Sequence, residues 1–288
     1  MAIDRVGIVG SGIMGSGIAE VAARSGAEVV LRSRQQETAD AQLGALERSL
    51  AKQVAKGKLE DLEAKVILAR VTTTSSLDAL ADCDLVIETV VEDLAVKQAL
   101  FADLDRVVGD GAILATNTST LPVIELAMAT GRPERVCGLH FFNPAPVMGL
   151  VEIVRTLVTS DETMAEARAF AGRCAKVPVE VKDRAGFIVN ALLFPYLNDA
   201  VRMLEQGTAD RDDIDAAMRG GCGFPMGPLA LLDLVGLDTS VAILDALYAE
   251  FRDPRYAAAP TLRRMRTAGH LGRKSGRGFY DYVESATR

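Results

Sequence analysis

The run Gly10-Ser11-Gly12-Ile13-Met14-Gly15 constrains this chain more than any other feature, because it joins the apolar stretch Val6-Gly7-Ile8-Val9 to the helical pattern Ile18, Val21, Ala22. Strand, glycine turn and helix in that order open a parallel dinucleotide-binding sheet. Gly10 permits the tight turn, Gly12 lets a pyrophosphate approach the backbone, and Gly15 lets helix and strand pack closely. The helix amino terminus, with the N–H groups of Ile13, Met14 and Gly15, faces the phosphates. The ordinary alternative is a structural glycine turn, which the position between strand and helix disfavours.

The second strand candidate, Glu28-Val29-Val30-Leu31, runs into Arg32-Ser33-Arg34. A sheet that binds NAD usually carries an acid there for the ribose 2′-hydroxyl. Here a small hydroxyl stands between guanidiniums, and Ser33 and Arg34 suit a 2′-phosphate that a carboxylate would repel. The expected cofactor is therefore NADP, with NAD left open by the reading in which the arginines are solvated surface charges.

Short apolar runs alternate with helical stretches as far as residue 183, the pattern of a largely parallel sheet covered by helices. Further strands are expected at 71–74, 85–87, 113–115, 136–140, 151–154 and 177–181. Between the second and third strands lies a helical hairpin over 38–56 and 60–69, turning at Gly57 and expected to project from the sheet; Leu43, Leu46 and Leu50 recur in it at helical spacing. After residue 186 helical periodicity takes over, at 188–205, 210–219, 229–235 and 239–250. The expected fold is thus α/β, a Rossmann-like doubly wound sheet with a helical-hairpin insertion over 1–184, followed by an all-helical domain over 185–288. Leu192, Leu193, Leu197, Leu231, Leu232 and Leu234 give that second domain more apolar surface than a thin helical layer buries, so a homodimer through it is expected.

Composition narrows the function. With 49% hydrophobic and 25% charged residues over 288 positions, the chain can bury a sizeable core. A net charge of −7 argues against a nucleic-acid or membrane-surface partner. Cys83, Cys137, Cys174 and Cys222 form no C-x-x-C pair, so neither a disulfide framework nor a metal site is expected, and a reducing cytoplasm fits best. The first apolar segment holds Asp4, Gly7, Gly10 and Gly12, and is too short and punctuated for a membrane span or signal peptide.

His140, one of only two histidines, closes the run Val136-Cys137-Gly138-Leu139 before the turn Phe141-Phe142-Asn143-Pro144. A lone histidine is more often a satisfied core residue. At the carboxyl end of a strand over a nucleotide crevice, however, its titration near neutral pH suits proton transfer.

Taken together, Gly10 to Gly17, Asn117-Thr118-Ser119, the stretch 138–148, Leu150-Val151-Glu152, Gly186-Phe187-Ile188-Val189-Asn190, Phe224-Pro225-Met226-Gly227-Pro228 and Gly272-Arg273-Lys274-Ser275-Gly276 resemble the short-chain L-3-hydroxyacyl-CoA dehydrogenase family over almost the whole length. The resemblance implies reversible hydride transfer between a nicotinamide and carbon 3 of an acyl-CoA. It implies His140 as general acid/base, Glu152 as its carboxylate partner, Ser119 near substrate oxygen and nicotinamide, and Asn190 as an amide orienting the substrate. Ser49 and Lys56, about two turns apart on the hairpin, match CoA-contacting positions. Glu92, Lys97, Asn143 and Lys274 match cofactor contacts. Ordinary roles stay open for several of these: Ser119 as the cap of a helix near Pro122, Asn190 as a polar cap, Lys56 as a solubilising charge. Gly149, Ala191 and Ala230 depart from the residues many relatives carry there, which keeps a carrier-protein thioester open as the substrate. A nonenzymatic NADP-binding protein, or a dehydrogenase of free hydroxy acids, are the remaining alternatives.

Overall fold

The computed structural model describes residues 3–282. The chain divides into two compact units, Met1–Asp183 and Arg184–Arg288. In the first, the order is β1 (Arg5–Val9), α1 (Ile13–Arg24), β2 (Glu28–Arg32), α2 (Gln36–Ala55), α3 (Asp61–Ala69), β3 (Val71–Thr74), β4 (Leu85–Glu88), α4 (Leu94–Val107), β5 (Ile113–Thr116), α5 (Val123–Ala127), β6 (Val136–Phe141), β7 (Leu150–Arg155), α6 (Asp161–Arg173) and β8 (Val177–Lys182).

All eight strands join one sheet in the order β3-β2-β1-β4-β5-β6-β7-β8. The order reverses between β1 and β4, and a crevice opens at the carboxyl ends of strands at such a point. Strands β4, β5 and β6 are buried at every residue, as their continuous apolar runs require of strands covered on both faces. The pair β6–β7 is antiparallel, in contrast to the parallel pairs on either side. Its register sets His140 opposite Glu152. Residues directly opposite share a face, so a slip of one position would send Glu152 to the other side of the sheet.

The hairpin α2–α3 does not project from the sheet. Leu46, Leu50, Ala64 and Ile67 are buried in the same core as Ile8, Ile18 and Leu31, and Leu43 packs against it. The helical spacing of those leucines marks a packed face rather than an exposed arm. Gly57 takes φ +64 at the turn, where a Cβ-bearing residue would be strained.

The second unit carries α7 (Val189–Glu205), α8 (Arg211–Cys222), α9 (Pro228–Val235), α10 (Leu237–Phe251) and α11 (Pro260–Thr267) around their own core. Leu197 and Leu232 are fully buried there, and Leu193 and Leu231 pack against it; Leu192 and Leu234 are exposed. Two buried aspartates tie the unit together. Asp215 accepts from the N–H groups of Leu229 and Ala230 at the start of α9, and Asp233 accepts from Phe279 and Tyr280 in the C-terminal segment. No helix among the described residues is long and apolar enough to cross a membrane.

Candidate active site

A cleft of about 940 Å³ is lined at the carboxyl ends of β1, β2 and β4 by residues that include Gly10, Gly12, Ser33, Arg34 and Val90. Gly10 has φ +111, and a Cβ there would lie 2.6 Å from Thr89 O. A Cβ on Gly15 would lie 1.8 Å from Gly10 O, so helix and turn touch only because residue 15 has no side chain. Gly12 differs, since a Cβ there meets nothing within 4 Å. It caps α1 without a side-chain hydrogen bond, leaving the first N–H groups of the helix uncapped beside open space. That arrangement fits the pyrophosphate of a dinucleotide. Ile13 is exposed at the helix start, Met14 is half-buried and Gly15 is buried.

The end of β2 fits an anion as well. Ser33 is buried, and Ser11 Oγ donates to its Oγ at 2.9 Å, which leaves the Ser33 proton for another acceptor. Arg34 is exposed, lines the cleft and makes no ion pair among the described residues. Arg32 donates to Ser75 O at 3.2 Å. Burial, and then the like charge of Arg34, hold the Arg32 guanidinium below its ordinary value.

Farther along the same carboxyl edge of the sheet, at β6, His140 Nδ1 lies 2.7 Å from Glu152 Oε2 and its Nε2 lies 3.0 Å from Ser119 Oγ. Both His140 and Glu152 are buried. An ionised carboxylate only accepts, so Nδ1 carries the proton toward Glu152; in the neutral ring Nε2 is then the acceptor, and the Ser119 hydroxyl donates to it. An imidazole so held can gain a proton at Nε2 while its new charge is met by Glu152. Phe142 packs on the ring, centroids 4.5 Å apart. Asn117 Oδ1 accepts from Phe141 N and fixes the strand end that presents the histidine.

Ser119 does not cap α5. That helix begins after Pro122, and Asp183 takes its first N–H groups at Val123 and Ile124. Glu92 is exposed, and accepts from Ser119 N at 3.1 Å and from the Thr118 hydroxyl. Partial desolvation raises its carboxyl, but the Lys97 ammonium and the bonds from Thr118 and Ser119 outweigh this and hold it below the ordinary range.

Lys97 requires a correction. It is buried, with its ammonium bonded to both oxygens of Glu88 at 2.7 and 2.9 Å and 3.2 Å from Glu92 Oε2. Its charge is spent inside the protein, and a direct cofactor contact is not what this geometry provides. Asn143 is exposed on the turn after β6. Ser49, exposed on α2, accepts from Gln53 at 3.5 Å, and Lys56 is exposed at the C-cap of the same helix. In the second unit Asn190 is buried in the first turn of α7, and Lys274 pairs with Asp238. Glu88, Thr116 and Asn117 had no role in the sequence reading. The available signal was an acid ending an apolar parallel strand, where a solvated residue is out of place.

The family model described as 3-hydroxyacyl-CoA dehydrogenase, NAD binding domain, matches residues 5–184, and that of the C-terminal domain matches 186–282. A 3-hydroxybutyryl-CoA dehydrogenase of Mycobacterium tuberculosis is 52% identical over 98% of this chain and 99% of its own. Among solved structures, FadB2 of M. tuberculosis superposes with a TM-score of 0.96 at 51% identity, over 98% of this chain and 100% of that one. The (S)-3-hydroxybutyryl-CoA dehydrogenase PaaH1 of Ralstonia eutropha gives 0.95 at 42%, over 98% and 99%.

Proposed function

Since the chain belongs to the 3-hydroxyacyl-CoA dehydrogenase family, we propose that it interconverts a short-chain L-3-hydroxyacyl-CoA and the 3-ketoacyl-CoA, with 3-hydroxybutyryl-CoA and acetoacetyl-CoA as the pair and NADP(H) as cofactor. One observation carries the reading: His140 is held between Glu152 and Ser119 in the unit that also holds the glycine-lined cleft.

The bound nicotinamide supplies the two-electron acceptor or donor for carbon 3. Gly10, Gly12, Gly15 and the start of α1 hold its pyrophosphate, and Ser33 and Arg34 take the 2′-phosphate. In oxidation, His140 Nε2 accepts the proton of the 3-hydroxyl, and Glu152 stabilises the imidazolium from the Nδ1 side. The Ser119 hydroxyl, no longer donating to Nε2, turns to the substrate oxygen. In reduction, protonated His140 gives the proton back to the developing alkoxide. The reading extends to Asn190, Ser49 and Lys56 as substrate contacts and to Asn143 and Lys274 as cofactor contacts. It includes a homodimer through the second unit, for which the exposed Leu192 and Leu234 speak; a strict monomer in sedimentation at micromolar concentration would remove that part.

The test is a set of steady-state rates with acetoacetyl-CoA and a medium-chain 3-ketoacyl-CoA, each with NADH and NADPH. Faster turnover of acetoacetyl-CoA with NADPH is expected. NADPH binding without turnover of either thioester would leave a cofactor-binding protein in its place, and turnover only of carrier-protein thioesters would move the substrate class.

A further inference from the structure

We propose that Glu88 is a positioning residue for the proton-transfer centre, acting on His140 through the loop that carries Ser119. The proposal rests on the roles given to His140 and Ser119 above.

Glu88 ends β4 with no exposure at all, and Lys97 on α4 is 1% exposed. A buried ion pair is weak evidence for stability, because well-packed apolar side chains of like volume serve as well or better. Its hydrogen bonds show what the pair does instead. Glu88 Oε2 accepts from Thr116 Oγ1 at 2.7 Å, and Thr116 Oγ1 accepts from Thr118 N at 3.1 Å. On the other side Lys97 bridges Glu88 and Glu92, and Glu92 Oε1 accepts from Ser119 N. Two routes therefore run from one carboxylate to the two residues before and at the hydroxyl that meets His140 Nε2. The parallel register sets Glu88 opposite Thr116, so the first route is fixed by the sheet. The second is held by charge: the Lys97 ammonium, bonded to Glu88, also lies 3.2 Å from Glu92 Oε2 and draws that carboxylate in. A third bond, from Val90 N to Glu88 Oε1 at 2.6 Å, ties the same carboxylate to the cleft wall.

Glu88→Gln keeps the shape of the side chain and removes its charge. The Ser119 loop then loses one anchor, and we expect kcat to fall about tenfold, within the range of directly coupled neighbours. NADPH affinity, followed by fluorescence, should change by less than about twofold, since the glycine turn is untouched and the glutamine oxygen can still accept from Val90 N at the cleft wall. The decisive measurement is the double-mutant cycle with Ser119→Ala. If Glu88 acts through Ser119, Glu88→Gln has little further effect on kcat once the hydroxyl is gone. A second readout needs no substrate. With two histidines in the chain, and His270→Gln to assign them, the ¹⁵N shift of His140 Nε2 is readable in the ligand-free protein. Glu88→Gln should move it when Ser119 is present and leave it unmoved in Ser119→Ala. Full kcat in Glu88→Gln, or an equal loss in both backgrounds, overturns the proposal. Should Glu88→Gln fail to fold, Thr116→Val enters the same cycle with an expected loss of about threefold. A wild-type chain that turns over no thioester defeats the functional reading instead, while the imidazole shift still reports whether Glu88 and Ser119 are coupled.

Discussion

Where the carboxyl end of β6 meets the amino-terminal half of the antiparallel β7, the chain itself holds both ring nitrogens of His140, whereas at the carboxyl end of β2 it leaves Arg34 without an ion pair among the described residues. The difference follows from what each end has to do. A proton-transfer group works only in one orientation and tautomer, so its partners belong to the protein and are present before substrate arrives. A charge meant for a ligand is better left uncompensated, because a built-in counter-ion would have to be displaced first. Arg32 and Arg34 even repel each other, and an anion between them relieves that repulsion.

The sharpest way to break this contrast is at the paired end. His140→Gln should lower kcat by roughly 10²- to 10⁴-fold while NADPH affinity stays nearly unchanged. Glu152→Gln should cost less, on the order of 10- to 10²-fold, because the ring keeps a neighbour but loses the charge that steadies imidazolium. A collapse of NADPH binding in His140→Gln would show that the two ends are not separable as described.

The open end has a smaller effect of different kind. Ser33→Asp should shift the ratio of kcat/KM for NADPH over NADH by about 10- to 10²-fold toward NADH, the worth of one or two charge-assisted bonds. An unchanged ratio in steady-state kinetics would refute the 2′-phosphate assignment.

These two ends were not equally legible. The glycine turn and Arg32-Ser33-Arg34 are local in sequence, and strand-turn-helix spacing alone places them at one crevice. The eight strand segments could be read the same way, as short apolar runs between turns. The pairing of His140 with Glu152 was readable only by family resemblance, because an apolar run such as Val151-Glu152-Ile153-Val154 does not state its direction, and the antiparallel register of β6–β7 decides which face each residue takes. Glu88 was less legible still: its place at the end of an apolar strand hints at burial, but its partners Lys97 and Thr116 lie on a helix and a neighbouring strand that no local pattern connects to it. Periodicity showed Leu46 and Leu50 on one face of the hairpin but not that this face meets α1 and the sheet.

The loop between the paired groups offers a pH test. Lys97, Thr118 and Ser119 together hold the Glu92 carboxyl below its ordinary value, against the opposing effect of desolvation. A carboxyl depressed in the folded state adds stability above its unfolded value, and that stability is lost as pH falls through the folded one. The Ser119 amide should therefore keep its protection from hydrogen exchange down to below about pH 4.3, the ordinary glutamate value. Glu92→Gln should lower protection at neutral pH and remove its acid dependence; loss of protection already near about pH 5 would contradict the charge arrangement.

The smallest effect probes the contrast in the ligand-free protein. Arg34→Gln removes a charge that has no ion-pair partner among the described residues and that presses on a partly buried guanidinium, so thermal stability without cofactor should stay level or rise, by about 1 °C or less, even as NADPH binds more weakly. Any gain should shrink as added salt screens the repulsion. Glu152→Gln, by contrast, should lower the melting temperature of the same ligand-free protein, because it disturbs a buried hydrogen bond to His140. If Arg34→Gln lowered the melting temperature as much as Glu152→Gln does, Arg34 would be holding the fold together, and the division between groups paired by the chain and groups reserved for a ligand would fail at the end where it predicts most.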